Sequence, residues 1–317
     1  MAGPDEPMPT GRPSAVGRPS SRDVGLLGVA VAMISTSAPL IAATMAPSLA
    51  IGFWRNAFGT LAIAPFALTR SRRELFALAR REVRLALASG VLLAAHFATW
   101  VPSLALTSVA SSTALVASQP LWAALIARAR GQHVPHPAWV GMAVAFVGVL
   151  TLTGVDLSLS TRAVAGDLLA LVGAVFAAAY VTVGSQVRQT VSTTTYTFLC
   201  YGCCSVVMLG VCLAGRQSLA GYDASTWLKL LALTAGAQLL GHSLINVALQ
   251  HSSPTVVSLA ILFEMPGAAL LAALWLGQRP PWGVLPAAVL LLAGVALVIR
   301  GAGSSDPLGG PVEAPPG

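Results

Sequence analysis

The sequence predicts an all-α integral membrane protein with ten transmembrane helices, arranged as two inverted five-helix repeats. Of the 317 residues, 56% are hydrophobic and only 9% are charged, whereas a soluble domain carries about 25% charged residues. The few charges are separated by long uncharged stretches, and part of the second half repeats part of the first. So few charges cannot cover the surface of a soluble protein of this size, which excludes a soluble fold.

The uncharged stretches are long enough for membrane-spanning helices, each of which needs about 20 apolar residues. The 31 residues between Asp23 and Arg55 break at Pro47, because proline starts a helix better than it continues one. The 43 residues between Arg84 and Arg128 must hold two spans. The predicted spans, numbered 1 to 10 in chain order, cover residues 25–44, 47–69, 85–106, 108–129, 137–154, 165–186, 192–214, 227–248, 255–276 and 281–299.

The two tails differ from the body of the chain. Residues 1–22 contain five prolines, and residues 301–317 contain four prolines and five glycines. Neither has an apolar face to bury, so both are predicted to be disordered. With both tails on one side, the loops of that side carry thirteen arginines against three in the opposite loops. The positive-inside rule then predicts a multi-pass protein of the cell (cytoplasmic) membrane with both termini in the cytoplasm.

A self-match at an offset of 146 residues reveals an internal repeat. The matched turn and helix-breaking residues are Pro120 with Pro266, Gly131 with Gly277, Gln132 with Gln278, Pro135 with Pro281, and Gly148 with Gly294. The body therefore divides into halves at 25–154 and 165–299, each with five spans. Because five is odd, the second half enters the membrane from the opposite side, as in many secondary transporters. Duplication without a transport role is the alternative.

The chain resembles the ten-helix EamA-type members of the drug/metabolite transporter superfamily. The resemblance rests on the segment Phe-Trp-Arg-Asn at 53–56, on residues 111–120, and on segments 273–278 and 294–297. It implies that spans 1–4 and 6–9 surround a central pathway, with spans 5 and 10 more peripheral. It also implies secondary transport of small organic metabolites, commonly amino-acid export.

One departure from the family pattern limits what the resemblance implies. Similar proteins carry an acidic residue directly after the glycine that ends spans 4 and 9, where this chain has Gln132 and Gln278. A salt-bridge role for that acid is therefore not expected here.

Five polar residues are predicted near the middle of the membrane, where ionisable groups are costly and mark candidate functional sites. At about 1.5 Å of rise per residue, their depths fall around the centre of a hydrocarbon core about 30 Å thick. They belong to spans 2, 3, 4, 8 and 9, and are Arg55, His96, Gln119, His242 and Glu264.

Glu264 is the strongest candidate, because the sequence places no other acid in the interior of a predicted span. Pro266 leaves a nearby carbonyl without its helical donor, which adds polarity beside the carboxyl group. Glu264 could load and release a proton during transport. It could instead serve as a structural partner for Arg55 or for a histidine.

Arg55 and His96 each have a functional and a structural interpretation. Arg55 could bind a substrate carboxylate through two parallel hydrogen bonds, or its side chain could extend towards the membrane surface. His96 could titrate near neutral pH, and Trp100 lies one turn further on the same helix face. The two rings could stack against a substrate, or His96 could only bond a neighbouring helix.

The remaining candidates lie on spans 4 and 8. Gln119 precedes Pro120 and could satisfy a freed carbonyl or contact a ligand. His242 and Asn246 are four residues apart, so they share a helix face. With these residues, the predicted pathway for substrate or protons comprises Glu264, Arg55, His96, Trp100, Gln119, His242 and Asn246.

No cofactor or metal is predicted. The four cysteines, Cys200, Cys203, Cys204 and Cys212, lie in one span, with no second Cys or His pair to complete a tetrahedral zinc site. The arginines are strung along one membrane face, which argues against nucleic-acid binding. The expected partners are a small-molecule substrate, protons and membrane lipid.

The sequence leaves one structural and two functional alternatives open. Gly141, Ala145 and Gly148 in span 5, with Gly294 in span 10, offer small-residue surfaces for close helix packing, within the chain or in a homodimer. A non-transporting scaffold or, with less support, an intramembrane enzyme are the alternative functions. The chain has no His-Glu-x-x-His and no Gly-x-Ser-x-Gly motif. The main prediction is a bacterial secondary transporter that exports a small, amino-acid-like metabolite.

Overall fold

The computed structural model describes residues 21–248 and 254–303, apart from a few side chains within those ranges, that of Asn246 among them. Within these ranges the secondary structure is helical, without strands. The predicted tails lie almost entirely outside the described residues. The last helix continues to Gly303, into the segment predicted as the C-terminal tail.

Ten helical spans follow one another as the sequence predicts. Six of them, spans 2, 3, 5, 6, 7 and 10, are single helices: Ser48–Thr69, Arg80–Ser103, His136–Leu159, Thr161–Val187, Thr193–Ala214 and Val284–Gly303. A short helix, Arg72–Ala77, connects spans 2 and 3.

The other four spans are interrupted. Spans 1, 4 and 9 each consist of two helices: Ser21–Ser35 and Ser37–Ala42, Val109–Val116 and Gln119–Ala129, and Pro254–Ile261 and Glu264–Leu276. Span 8 consists of Ala224–Ala232, a π-helix at Leu233–Gly241, and His242–Ala248. Broken spans are tolerated in membranes where the freed backbone lines a cavity or is buried in protein.

Span 2 carries buried polar residues within its apolar sequence. Among the described residues, nine helices are long and apolar enough to cross a membrane, and Ser48–Thr69 is not one of them. It is nevertheless 22 residues long, which corresponds to roughly 33 Å of helix. Its apolar sequence is interrupted by Arg55 and Asn56, both of which are buried in the fold. It completes the predicted set of ten.

Local capping moves two span boundaries away from their predicted positions. Span 3 begins at Arg80, five residues early, because the Glu82 carboxylate accepts a hydrogen bond from the Ala79 N–H at 2.9 Å. Span 6 begins at Thr161, where the Ser160 hydroxyl accepts from the Ala163 N–H at 3.1 Å. Side chains that cap the first turn extend a helix beyond its apolar core.

Spans 5 and 10 pack against each other at very short range. A methyl group added at Gly294 would lie 2.2 Å from the Ala145 backbone nitrogen, and one at Gly148 would lie 2.5 Å from the Leu291 nitrogen. The small-residue surfaces are therefore used inside the chain. A homodimer would have to form through a different surface.

The other spans pair across the two halves around a central space. Span 3 packs on span 6, span 2 on span 7, and span 1 on span 8. We call one end of the bundle the arginine-rich face, with the connections at 70–79, 130–135 and 188–192, and the other the arginine-poor face, with those at 43–47, 104–108, 215–223 and 277–283.

Candidate substrate pathway

A cavity of about 500 Å³ lies between the two halves. Residues from spans that are far apart in sequence meet in its wall. Six of the seven predicted pathway residues line it: Arg55, His96, Trp100, Gln119, His242 and Glu264. The side chain of the seventh, Asn246, is outside the described residues. The common depth inferred for the polar residues thus corresponds to a common cavity.

Arg55 is held in place by two neighbouring side chains. Its Nε donates a hydrogen bond to Gln238 Oε1 at 2.8 Å, and its guanidinium carbon lies 4.4 Å from the centre of the Phe97 ring. Only 4% of the residue is exposed, and the buried Nη1 has no hydrogen-bond partner among the described residues. The alternative of a side chain extended towards the membrane surface is wrong. Arg55 presents unused donors inside the bundle.

Gln238, which the sequence analysis missed, positions Arg55. It lies in the π-helix of span 8 and is 3% exposed. A methyl group at Gly59 would come within 2.8 Å of Gln238 Nε2, so glycine at this point of span 2 makes room for the amide. π-Helical turns occur frequently at functional sites. A lone glutamine in an apolar span was the available sequence signal.

Glu264 begins the second helix of span 9, directly after the break at Leu262 and Phe263. It is half-buried and lines the cavity. Among the described residues its carboxyl group has no hydrogen bond or close salt bridge, although Arg55 acts on it electrostatically. The carboxyl group is therefore available to the contents of the cavity.

Gln119 begins the second helix of span 4 and also lines the cavity. Its side chain makes no hydrogen bond to the described residues, so the carbonyl-satisfying role is not observed. The N-termini of two half-helices, at Gln119 and Glu264, thus lie at the same cavity. Such ends carry a partial positive charge and often face anionic substrate groups in transporters.

His96 and Trp100 form a stacked pair in span 3. Their ring centres are 5.4 Å apart and their planes differ by 16°. The Gly173 carbonyl oxygen lies 2.9 Å from His96 Nδ1, which must donate this bond because a carbonyl oxygen only accepts. Trp100 is 5% exposed, and its Nε1 has no partner among the described residues. The two rings stack on each other, and His96 bonds a neighbouring helix, which was one of its two interpretations.

His242 follows the π-helix of span 8 and lines the cavity. The tyrosines Tyr180, Tyr196 and Tyr201 add to the wall. Tyr196 is fixed by a 2.6 Å hydrogen bond between its hydroxyl and the Ser89 hydroxyl. Tyr180, which is not among the residues predicted from the sequence, therefore also borders the cavity.

Asp167 is a second acid inside the bundle, whereas the sequence placed no acid other than Glu264 in the interior of a predicted span. Asp167 is 0% exposed in the helix Thr161–Val187. The expectation was wrong because the predicted span began at 165, which placed Asp167 at its edge. Asp167 does not line the cavity, so Glu264 is the acid that does.

Comparison with known proteins identifies a family likeness along almost the whole described body. The model of the EamA-like transporter family matches residues 24–154 and 164–300. One similar solved structure, titled only "Crystal structure of protein", has 17% sequence identity and a TM-score of 0.62. The alignment covers 88% of this chain and 97% of that chain, which shows a shared fold. No curated protein matches the sequence.

Proposed function

The chain belongs to the EamA-like transporter family and is a multi-pass membrane transporter of the drug/metabolite transporter superfamily; on this premise we propose that it exports a small amino-acid-like metabolite across the cytoplasmic membrane, coupled to protons. The observation that carries the proposal is that Arg55 and Glu264 line one cavity without forming a close salt bridge. A solute with a carboxylate and an amino group complements both charges.

Arg55 is the group that would bind the carboxylate. Gln238 and Phe97 already fix its guanidinium, so little conformational entropy would be lost on binding. A carboxylate in the cavity would accept a charge-assisted hydrogen bond from this guanidinium. The half-helix that begins at Gln119 places its partial positive end at the same cavity.

Glu264 is the group that would carry the proton. An ionised carboxyl group without hydrogen-bond donors is costly in an apolar interior. It can be neutralised either by a proton or by the amino group of the solute. Competition between these two for one carboxyl group would couple solute movement to a proton moving the other way.

The size of the cavity limits the size of the solute. The cavity volume of about 500 Å³ lies within the range of about 300–1,000 Å³ that is usual for small-molecule sites. The stacked rings of His96 and Trp100 and the three tyrosines provide a flat, largely apolar surface for a side chain.

The cavity extends from the centre of the bundle towards one end of it. Besides the central residues, it is lined by Arg188, Thr193 and Thr197, which lie at the arginine-rich face. If that face is cytoplasmic, as the arginine count predicts, this conformation exchanges its solute with the cytoplasm, which an exporter needs for loading and an importer for release. The proposed export therefore rests on the family resemblance.

The test is a comparison of the metabolites released by three bacterial cultures. The first overexpresses the wild-type protein, the second expresses Arg55→Met at the same membrane level, and the third carries the empty vector. We expect one or a few carboxylated amines to accumulate outside only in the first culture. Equal release by all three would contradict the proposal.

A further inference from the structure

Spans 4 and 9 pack differently at the two faces of the membrane. Near the arginine-poor face, Val109–Val116 of span 4 packs against Glu264–Leu276 of span 9. The inverted repeat relates this pair to Gln119–Ala129 and Pro254–Ile261 near the arginine-rich face. Among the described residues these two helices form no comparable packing, and Gln119–Ala129 packs on span 6 instead. The pair is closed at one face and separated at the other.

A side-chain hydrogen bond joins the loop after span 9 to the start of span 4 at the closed face. Gln278, in the loop after span 9, accepts a hydrogen bond through Oε1 from the Val109 N–H, at 3.1 Å. Val109 is the first residue of its helix and is fully buried. Its N–H has no helical partner, so Gln278 supplies the acceptor that this helix end needs.

Gln132 is the counterpart of Gln278 in the first repeat. The offset of 146 residues that matches Gln132 with Gln278 also matches Val109 with Thr255, near the start of span 9. In this structure the Gln132 side chain is exposed and has no hydrogen bond to the described residues. It lies beside a small surface depression with Arg128 and Trp139.

We propose that Gln278 and Gln132 are two latches that close alternately during transport. Gln278 holds the arginine-poor face shut by bonding the start of span 4. When that bond breaks and the cavity opens to the other side, Gln132 bonds the Thr255 N–H at the start of span 9 and closes the arginine-rich face. The two glutamines position the spans and do not touch the solute.

The repeat geometry explains why a glutamine can do this without a charged partner. The acceptor is needed by a backbone N–H, and an amide oxygen or a carboxylate oxygen can supply it equally. The latch therefore needs no salt bridge. In the proposed cycle, an amide oxygen at the same loop position of each repeat bonds an equivalent helix start, so both closed states use the same kind of hydrogen bond.

The experiment measures how often the cavity is open to the arginine-rich face, and it needs no solute. Ser258 lines the cavity from the first helix of span 9, so Ser258→Cys can be labelled from that face. The full-length protein is reconstituted in lipid vesicles, and a membrane-impermeant maleimide is added on that face alone. The chain without the new cysteine measures background labelling of Cys200, Cys203, Cys204 and Cys212.

Gln278→Met should slow labelling of Ser258→Cys by about two- to tenfold, the range expected for losing one hydrogen bond from one of two states. Gln132→Met should not slow it. Gln278→Glu should restore the wild-type rate, because a carboxylate also accepts the Val109 N–H and is favoured at a helix N-terminus. The matched control is Gln217→Met, which removes a glutamine from the same face. In the described residues the Gln217 side chain donates to the Gly215 carbonyl within its own loop.

An unchanged labelling rate in Gln278→Met would overturn the latch. So would a rate that is slowed in Gln278→Met and equally slow in Gln278→Glu. Circular dichroism and elution as a monodisperse peak show whether each variant is folded. Because the assay uses the reagent alone, failure of the latch leaves the proposed solute and the proton role untouched. Conversely, a wrong solute would not affect the labelling rates.

Discussion

Spans 4 and 9 are broken at equivalent points, but the residues at the two breaks differ. The offset of 146 residues aligns Ser118 with Glu264 and Pro120 with Pro266. Ser118 is 1% exposed, donates to the Leu115 carbonyl at 2.6 Å and accepts from Trp122 Nε1 at 3.1 Å. Glu264 has no hydrogen-bond partner among the described residues and lines the cavity.

The two breaks share a backbone arrangement but differ in the side chain at the break. Both repeats have a broken helix whose second half starts at the cavity, so the break itself is a feature of the repeated fold. Only the second repeat places an ionisable group there. A serine satisfies its hydrogen bonds within its own helix, whereas a carboxyl group without donors depends on a proton or on a cationic group from outside.

The largest expected effect comes from making the two breaks alike. Ser118→Glu would bury a carboxyl group among side chains that already satisfy one another, at a cost of several kcal/mol. We expect the variant to lose thermal stability in detergent severely or to fail to insert. Glu264→Ser, which makes the opposite change in a half-buried, cavity-lining position, should remain folded. Equal stability of the two variants would show that the breaks are equivalent environments.

The next effect concerns the cation that faces Glu264. Arg55→Lys keeps the charge but loses the paired donor geometry and the bond from Nε to Gln238. Transport of carboxylated solutes in vesicles should fall about tenfold or more, since a hydrogen bond to a charged group contributes about 1.5–3 kcal/mol. Neutral solutes should be affected less. An equal decrease for both kinds of solute would mean that Arg55 only supports the fold.

A smaller effect is expected from removing the polar group at the first break. Ser118→Ala deletes a hydroxyl that bonds Leu115 and leaves Trp122 Nε1 without its acceptor. The free energy of unfolding should fall by about 1–3 kcal/mol, while solute transport per folded molecule stays at the wild-type level. A transport defect as large as that of a Glu264 variant would show that Ser118 also takes part in the chemistry.

The smallest effect lies away from both breaks, where the connection between spans 2 and 3 meets span 7. Burial alone would raise the pKa of Glu74, but hydrogen bonds from Ser192 and Thr195 lower it below its ordinary value. A group whose pKa is lower in the folded state stabilises the fold above its unfolded pKa, and this contribution is lost as pH falls through the folded pKa.

We therefore expect wild-type stability to decrease more than that of Glu74→Gln when the pH falls from neutral to below about 4. Thermal unfolding of both proteins across this range measures the difference. A decrease of the same size in both would show that Glu74 does not contribute to the acid sensitivity.

Much of the fold could be predicted because the membrane restricts where charges lie. The spacing of the arginines and the turn residues that repeat at an offset of 146 residues were enough to predict ten helices in two inverted repeats. Span 2 shows why spacing was the better guide. With Arg55 and Asn56 it is not among the nine helices of the described residues that are long and apolar enough to cross a membrane, yet the stretch between Pro47 and Arg70 has the length of a span.

The site could be predicted in its members but not in its contacts. The depths of Arg55, His96, Gln119, His242 and Glu264 came from sequence position alone. Pairing Arg55 with Gln238 depends on the π-helix in span 8 and on the space beside Gly59, and neither leaves a periodic signal. The burial of Asp167 depends on a helix start set by one capping serine.

The central claim, that Glu264 carries the coupled proton, is tested most directly by measuring protons and solute together. Wild type, Glu264→Gln and the control Glu82→Gln, whose acid lies away from the cavity at the start of span 3, are reconstituted in vesicles containing a pH-sensitive dye. A gradient of the exported solute is then applied. Wild type and Glu82→Gln should change the internal pH as solute moves, whereas Glu264→Gln should move no protons while still exchanging labelled for unlabelled solute. Proton movement at the wild-type rate in Glu264→Gln would contradict the account.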